Sequence, residues 1–251
     1  MVSNFCPYRE PLRSVLMLLF LAGLVSACST SITSGSSPTP TSTQGIRGIF
    51  HDYALPPSQF VPFTITAGPD GNLWFTEIMQ NGSVQAGKIE RITPTGTLSE
   101  FSLPSRNTLA TDIITGPDGN LWFAAGDKIA RITPMGKISE FPLPSATSSI
   151  TTGPDGNLWF TEQSNIGRMT LTGKVSEFSL PFHQYPAGPN PKGGPADSAQ
   201  GESLAITAGP DGNLWFTEIM QNGGSFIGRI TTSGKITEFP LPSANTLPSS
   251  I

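Results

Sequence analysis

The stretch Gly68-Pro69-Asp70-Gly71-Asn72-Leu73-Trp74-Phe75 decides the fold, because the chain repeats it without a change. The same letters return at 116–123, 153–160 and 209–216. A short word that recurs at intervals of tens of residues is typical of repeat architectures, in which each copy marks the same point of one structural unit. The sequence therefore predicts equivalent units, one for each copy.

Other short words recur around this stretch in a constant order. An Ile-Thr pair or a lone Ile precedes it, an Ile-x-Arg-Ile-Thr word follows it, and a Ser/Thr-Glu-Phe-x-Leu-Pro word ends the unit. Each unit thus holds several short apolar runs separated by turn residues, which is the pattern of a four-stranded antiparallel sheet. The predicted units are residues 63–104, 111–144, 148–181 and 204–242.

Turn chemistry predicts how the strands within a unit pair. The word Pro69-Asp70-Gly71 suits a type I turn closed by a left-handed glycine, and Thr93-Pro94-Thr95-Gly96 suits the same turn between the third and fourth strands. The second turn sets a register in which Arg91 faces Ser99. The corresponding pairs are Arg131 with Ser139, Arg168 with Ser176, and Arg229 with Thr237.

The strand words are apolar on both faces, because Leu73 and Phe75 point to one side and Trp74 to the other. A sheet with one face in water would alternate between apolar and polar residues. Sheets that are covered on both faces and repeated along the chain are typical of β-propeller blades. The predicted fold class is therefore an all-β propeller of four-stranded antiparallel blades. The repeated tryptophans are expected to pack between blades, and the third-strand arginines to hydrogen-bond within a blade or to its neighbour.

Both ends of the repeat region are irregular. Residues 49–56 match 235–242 in character, which predicts an N-terminal orphan strand at 48–56 that stands where a fourth strand would. The last residues, 249–251, match 148–150 and thus the opening of a further blade. The expected architecture over 48–251 is four complete blades plus the orphan strand, in a ring that is not completed. A closed four-bladed ring is the alternative. Open ends favour self-association or another partner that covers them.

The first residues predict export. Arg9 and Arg13 precede an apolar run that is too short to span a bilayer, as in a signal peptide of residues 1–27. The run ends in Val25-Ser26-Ala27-Cys28, which resembles a bacterial lipobox and implies cleavage before Cys28 and its lipidation. Residues 28–47 then form a disordered Ser/Thr/Pro tether. We expect a protein anchored to a membrane of the bacterial cell envelope. A net charge of −4 without a basic cluster makes nucleic acid an unsuitable partner.

The repeated words resemble those of a known family. Ile-Thr-x-Gly-Pro-Asp-Gly-Asn-Leu-Trp-Phe-Thr-Glu, Ile-Gly-Arg-Ile-Thr and Glu-Phe-x-Leu-Pro are similar to the words of the virginiamycin B (streptogramin B) lyases, which are seven-bladed propellers. The resemblance covers the chain from about Gly48 onward. It implies antibiotic resistance through eliminative opening of a cyclic depsipeptide at its ester. A base would remove the proton α to a carbonyl, Mg²⁺ would stabilise the enolate-like charge, and an acid would assist the leaving oxygen.

The resemblance also implies which residue type should act as base and acid. In that family histidines do so, one of them in a Glu-Pro-His word before a first strand. The histidine positions of that word are filled here by Phe63, Thr111, Ser148 and Leu204, and the glutamate position once, by Glu202. None of the four side chains transfers a proton at neutral pH, so no catalytic residue is predicted. The alternative function is a non-catalytic propeller module that binds a small molecule, peptide or protein.

Candidate ligand-binding residues lie on one rim of the predicted propeller. Loops of variable length on a rigid scaffold are where binding is usually found, and here they follow the second and fourth strands. This rim would hold Glu77, Glu162 and Glu218 at the ends of second strands, together with Glu202 and the insertion residue His183. The three strand-end glutamates suit either a cation site or a structural role. His183 suits an ordinary surface residue as well as a ligand-binding one.

Overall fold

A computed structural model describes residues 52–56, 58–81, 84–105, 108–181, 202–220, 224–242 and 248–251. This part of the chain contains strands and turns and no helix, and thus no helix long and apolar enough to cross a membrane. The strands form four separate antiparallel sheets of four strands, each in chain order. The all-β prediction is confirmed. The predicted signal peptide, Cys28, the tether and His51 lie outside the described residues.

The four sheets are the blades of the fold. Blade 1 contains β1 (Phe60–Ala67), β2 (Leu73–Asn81), β3 (Val84–Ile92) and β4 (Leu98–Ser102). Blade 2 contains β5 (Ala110–Thr115), β6 (Leu121–Ala125), β7 (Lys128–Ile132) and β8 (Ile138–Pro142). Blade 3 contains β9 (Thr147–Thr152), β10 (Leu158–Glu162), β11 (Asn165–Met169) and β12 (Val175–Ser179). Blade 4 contains β13 (Glu202–Ala208), β14 (Leu214–Met220), β15 (Gly224–Ile230) and β16 (Ile236–Pro240).

Strand register and turns follow the sequence prediction. Arg91 pairs with Ser99, and the three corresponding pairs of the other blades are formed as expected. Gly71 and Gly96 close their turns with φ values of 77° and 86°, in the left-handed region that glycine tolerates best. The Gly71 amide donates to the Gly68 carbonyl at 3.2 Å, which completes the turn after the first strand. Local turn chemistry thus sets the pairing in every blade.

Successive blades pack through their tryptophans. The first strands β1, β5, β9 and β13 contact one another in this order, which makes them the inner strands of an arc. Trp74 of blade 1 lies in a buried cluster with Ile113 and Leu121 of blade 2. Trp122 of blade 2 lies in a corresponding cluster with residues of blade 3, and Trp159 of blade 3 lies in one with residues of blade 4. The prediction that the tryptophans pack between blades is confirmed for these three.

The outer edge of each blade interface is made by a phenylalanine and a turn glycine. Phe101 of β4 stacks on Trp74 with ring centroids 5.2 Å apart, and its ring also covers Gly136 of blade 2. A Cβ at Gly136 would lie 2.4 Å from the Phe101 ring, so no larger residue fits without displacing it. Arg91 adds a hydrogen bond of 3.0 Å to the Pro134 carbonyl in the same turn, as expected for a third-strand arginine.

The arc does not close on itself. Within the described ranges, β13 makes no contact with β1 comparable to those between successive first strands. Ile65 of blade 1 is 62% exposed, whereas its counterparts Ile113, Ile150 and Ile206 are at most 5% exposed. The four blades therefore form an open arc, and the alternative of a closed four-bladed ring is not the arrangement adopted.

Residues 52–56 lie beside blade 1. Tyr53 covers Gly96 as Phe101 covers Gly136, and its hydroxyl donates to the Pro94 carbonyl at 2.9 Å. Tyr53 thus stands where the fourth-strand aromatic of a preceding blade would stand. Residues 52–56 nevertheless form no strand, because a strand needs a hydrogen-bonded neighbour. The rest of the predicted orphan strand, residues 48–51, lies outside the described part.

Candidate functional site

The inner strands carry the positions where the family resemblance would place histidine. Phe63 is partly exposed on β1, Thr111 and Ser148 begin β5 and β9, and Leu204 is on β13. The Thr111 hydroxyl donates to the Ser148 carbonyl at 3.1 Å, and the Ser148 hydroxyl donates to the Leu204 carbonyl at 3.2 Å. Both hydroxyls therefore link adjacent blades. The structure brings these positions together along the inside of the arc, with no proton-transferring side chain at any of them.

Asp112 is a half-buried acid on the same inner strands that the sequence interpretation missed. Its Oδ2 accepts hydrogen bonds from the Ile150 amide at 2.9 Å and from the Ser149 hydroxyl at 3.0 Å. Burial raises the pKa of Asp112, although these hydrogen bonds oppose the shift. In the sequence, Asp112 could have been noticed as an acidic residue at a first-strand position where the other blades have Thr64, Ser149 and Ala205. Asp112 holds blades 2 and 3 together, because both partners belong to blade 3.

Glu77, the first predicted rim glutamate, is buried in an ion-pair network inside blade 1. The Lys88 Nζ lies 2.9 Å from Glu77, 2.5 Å from Glu90 and 2.9 Å from Glu100. Burial acts to lower the pKa of Lys88, but the carboxylates of Glu90, Glu77 and Glu100 outweigh it and raise the pKa. One ammonium thus compensates a group of carboxylates, two of which are nearly inaccessible to water. Glu77 therefore has a structural role inside blade 1.

Glu162 has the same place in blade 3 but different neighbours. It is 1% exposed and pairs across the strands with Asn165, whereas Glu77 pairs with Lys88. The carboxyl of Glu177 and the backbone of Ser145 lie beside the Glu162 carboxyl. Burial and the neighbouring carboxyl of Glu177 raise the pKa of Glu162, although the Ser145 backbone opposes the shift. Both main causes favour the protonated form of Glu162.

The other predicted rim glutamates of the described part lie on blade 4. Glu218 is buried within β14, two residues before the strand ends, and pairs with Phe226. Glu202 is half-buried at the start of β13. His183 lies outside the described residues. Among the residues that the structure describes, no group of three or more His, Cys, Asp or Glu side chains could hold a metal ion.

The repeated turn aspartates also have a structural role. Asp70 Oδ1 accepts from the Trp74 indole nitrogen at 3.0 Å, and Oδ2 accepts from the Asn72 amide group at 2.8 Å. Burial acts to raise the pKa of Asp70, but these hydrogen bonds outweigh it and lower the pKa. The same bonds recur at the other three copies. Each aspartate thus orients the tryptophan of its own blade.

Neutralising Glu162 is expected to stabilise the protein in alkaline solution. Because the folded-state pKa lies above the ordinary value, folding takes up a proton, and the stability present below the unfolded pKa is lost as the pH rises towards 8. Glu162→Gln removes this loss. At pH 8 we expect a gain of about 1–3 kcal/mol in the free energy of unfolding, because an amide cannot ionise and each unit of a raised carboxyl pKa corresponds to about 1.4 kcal/mol. The gain should shrink at pH 5, as measured by urea denaturation.

The control for this variant is Asp127→Asn, which removes a carboxylate that is exposed in the loop after β6. It tests whether the loss of a negative charge is by itself enough to raise the free energy of unfolding. A surface substitution of this kind should change the free energy of unfolding by less than about 0.5 kcal/mol at either pH. Equal gains from both variants would contradict the assignment to Glu162.

Comparison with known proteins supports one family. The model of the virginiamycin B lyase family matches residues 42–189. Selenomethionine-substituted virginiamycin B lyase from Staphylococcus aureus is 38% identical over 79% of this chain and 61% of its own, with a TM-score of 0.63. A catalytically inactive variant of that enzyme with quinupristin gives the same identity and coverage and a TM-score of 0.62. A streptogramin B lyase is 36% identical over 79% of this chain and 60% of its own, with a TM-score of 0.62. No curated protein matches the chain significantly.

Repeated four-stranded antiparallel sheets that pack face to face define a protein of the β-propeller class, here as an open arc. The family match covers more than half of the sequence. The chain belongs to the virginiamycin B lyase family. It spans 61% of the length of the Staphylococcus aureus enzyme, less than two thirds.

Proposed function

We propose that this chain is a streptogramin B lyase-type propeller that does not open the antibiotic ring by itself. The observation that carries the proposal is the occupancy of the inner-strand positions by Phe63, Thr111, Ser148 and Leu204. Elimination needs a base at the α-carbon and an acid at the leaving oxygen. Phenylalanine and leucine have no exchangeable proton, and both hydroxyls donate to backbone carbonyls of the next blade. Its proposed location, the cell envelope by lipidation of Cys28, rests on the sequence alone.

The carboxylates of the described blades do not replace the base and the acid that elimination needs. Glu77 is committed to Lys88, and Asp112 accepts hydrogen bonds from blade 3. Glu162 has a raised pKa, but it is 1% exposed, so a ligand at the surface of the blade does not reach it. The proposal therefore assigns these acids to the scaffold. Mg²⁺ is retained in the assay because the family resemblance implies it.

The test is incubation of the purified chain with quinupristin, with and without Mg²⁺. Eliminative opening adds no water, so the linear product has the mass of the intact antibiotic and is recognised by its retention time and fragmentation pattern. Hydrolysis would instead add one water. The Staphylococcus aureus virginiamycin B lyase serves as the positive control. We expect no linear product from this chain, and Mg²⁺-dependent product from the chain alone would overturn the proposal.

A second candidate is a propeller module that binds a ligand other than a streptogramin and catalyses nothing. The same inner-strand residues favour it, because a binding module needs no proton-transferring group. Titration calorimetry with quinupristin separates the two candidates. Binding without turnover supports the lyase-type proposal, whereas neither binding nor turnover leaves the general binding module as the better description.

A further inference from the structure

Charge is distributed unevenly between the two rims of the arc. The turns after the first and third strands of every blade lie on one rim, because the strands are antiparallel neighbours in chain order. We call this the tight-turn rim and include in it the third-strand arginines beside the turns. Its basic side chains are Arg91, Arg131, Arg168, Arg229, Lys137, Lys174 and Lys235, and its acidic ones are Asp70, Asp118, Asp155 and Asp211. Elsewhere in the part of the chain that the structure describes, only Lys88 and Lys128 are basic.

The turn aspartates compensate the arginines of this rim but not its lysines. Arg91 Nη1 lies 3.6 Å from Asp70 Oδ2, and the equivalent distances in the other blades are 3.9, 3.8 and 4.0 Å. Lys137, Lys174 and Lys235 are exposed, and no carboxylate of the described residues forms an ion pair with them. The tight-turn rim therefore has a net positive charge, although the whole chain has a net charge of −4.

The turns hold these lysines at the same height in three successive blades. The Lys137 amide donates to the Thr133 hydroxyl at 3.1 Å, and the Lys137 carbonyl accepts from the Thr133 amide at 3.0 Å. The same two bonds hold Lys174 and Lys235. Equal turn lengths and equal hydrogen bonds make this rim even. The opposite rim is uneven, because its hairpins differ in length: β2 has nine residues and β6 has five.

We propose that the tight-turn rim docks on an anionic lipid surface, with the three lysines against the headgroups. Basic groups held at one height match a flat, negatively charged partner, because all of them reach it together. Met135, which is 91% exposed at the tip of the turn that holds Lys137, adds apolar surface that leaves water when the rim meets the lipid. Even height and an apolar tip favour a membrane over an anionic polymer in solution.

Docking in this orientation leaves the opposite rim free for ligands. The variable loops and the strand ends near Glu77, Glu162 and Glu218 then face away from the lipid. A strand of five residues is about 17 Å long. This exceeds the Debye length of about 10 Å at 0.1 M salt, so acidic groups at the far rim repel the membrane only weakly. The proposal does not rest on lipidation of Cys28.

Partitioning of the full chain onto vesicles, measured by cosedimentation in low salt, tests the proposal. The vesicles contain either phosphatidylcholine alone or phosphatidylcholine and phosphatidylglycerol in equal parts. On the anionic vesicles, each of Lys137→Gln, Lys174→Gln and Lys235→Gln should lower the partition coefficient about fivefold, which corresponds to about 1 kcal/mol. The triple variant should lower it about a hundredfold if the three effects add. On neutral vesicles the variants should bind as the parent chain does.

The matched control is Lys128→Gln, which removes the same charge at the start of β7, the end of the strand away from the tight-turn rim. It should change the partition coefficient less than about twofold, since its charge lies beyond a Debye length from the lipid. All variants keep the same N-terminal residues, so any contribution of these residues to binding is equal in each comparison. Circular dichroism of each variant checks that the sheets are retained.

Three results would contradict membrane docking by this rim. The first is binding to anionic vesicles that is no tighter than binding to neutral ones. The second is a loss from Lys128→Gln as large as that from the rim variants, or no loss from the rim variants at all. The third is lysine-dependent binding to linear polyphosphate in solution without binding to vesicles, which would assign the rim to a soluble polyanion.

Discussion

Replacement of Trp122 by alanine is expected to lower the free energy of unfolding by about 3–5 kcal/mol, the range for a large aromatic side chain removed from a packed core. Trp122 is fully buried and contacts Ile150 and Leu158 of blade 3. Its indole nitrogen also donates to Asp118 at 2.9 Å. Trp122→Ala thus opens a cavity between two blades and removes one of the hydrogen bonds that Asp118 accepts, while those from Asn120 remain. Urea denaturation of both proteins measures the difference.

Trp215→Ala is the matched control, because Trp215 has the same position in blade 4 and the same indole hydrogen bond to its turn aspartate, Asp211. What differs is the neighbour, since among the described residues no blade covers the outer side of the Trp215 ring, which is partly exposed. Trp215→Ala should lose less than half as much stability as Trp122→Ala. Equal losses would show that contacts between blades contribute little.

Replacement of Lys88 by methionine is expected to destabilise the protein by about 3 kcal/mol at pH 8, near the low end for a broken buried ion pair because Glu100 remains hydrated. The variant keeps most of the side-chain volume but leaves the buried carboxylates of Glu77 and Glu90 without their cation. Thermal unfolding of the variant and of the parent chain at pH 8 measures the difference.

Lys128→Met is the control for this prediction. Lys128 has the same register in blade 2, where it lies 3.5 Å from Glu140 and both side chains are partly exposed. An ion pair of this kind contributes less than about 1 kcal/mol, so the Lys128 variant should be nearly as stable as the parent chain. If both lysine variants lose the same stability, burial of the Lys88 network is not the cause.

The candidate site could be predicted from the sequence only in part. The placement of Glu77, Glu162 and Glu218 on second strands follows from the repeat alone, but only Glu162 ends its strand, because β2 and β14 continue past their glutamates. Their environments do not follow from the repeat, because a glutamate is ion-paired where Lys88 stands across the strand pair and has a raised pKa where Asn165 stands there. Asp112 was missed for a related reason, since its partners belong to another blade.

Strand number, register and turn type were determined by the sequence itself. These features depend on residues close together in the chain, such as the left-handed glycine at the fourth residue of each turn sequence. The same local pattern occurs in all four blades. Only the tertiary structure decided which surfaces are covered. Leu73 and Leu121 stand in identical words, yet the first is exposed and the second buried, because burial depends on the presence of a neighbouring blade and not on the word that a residue belongs to.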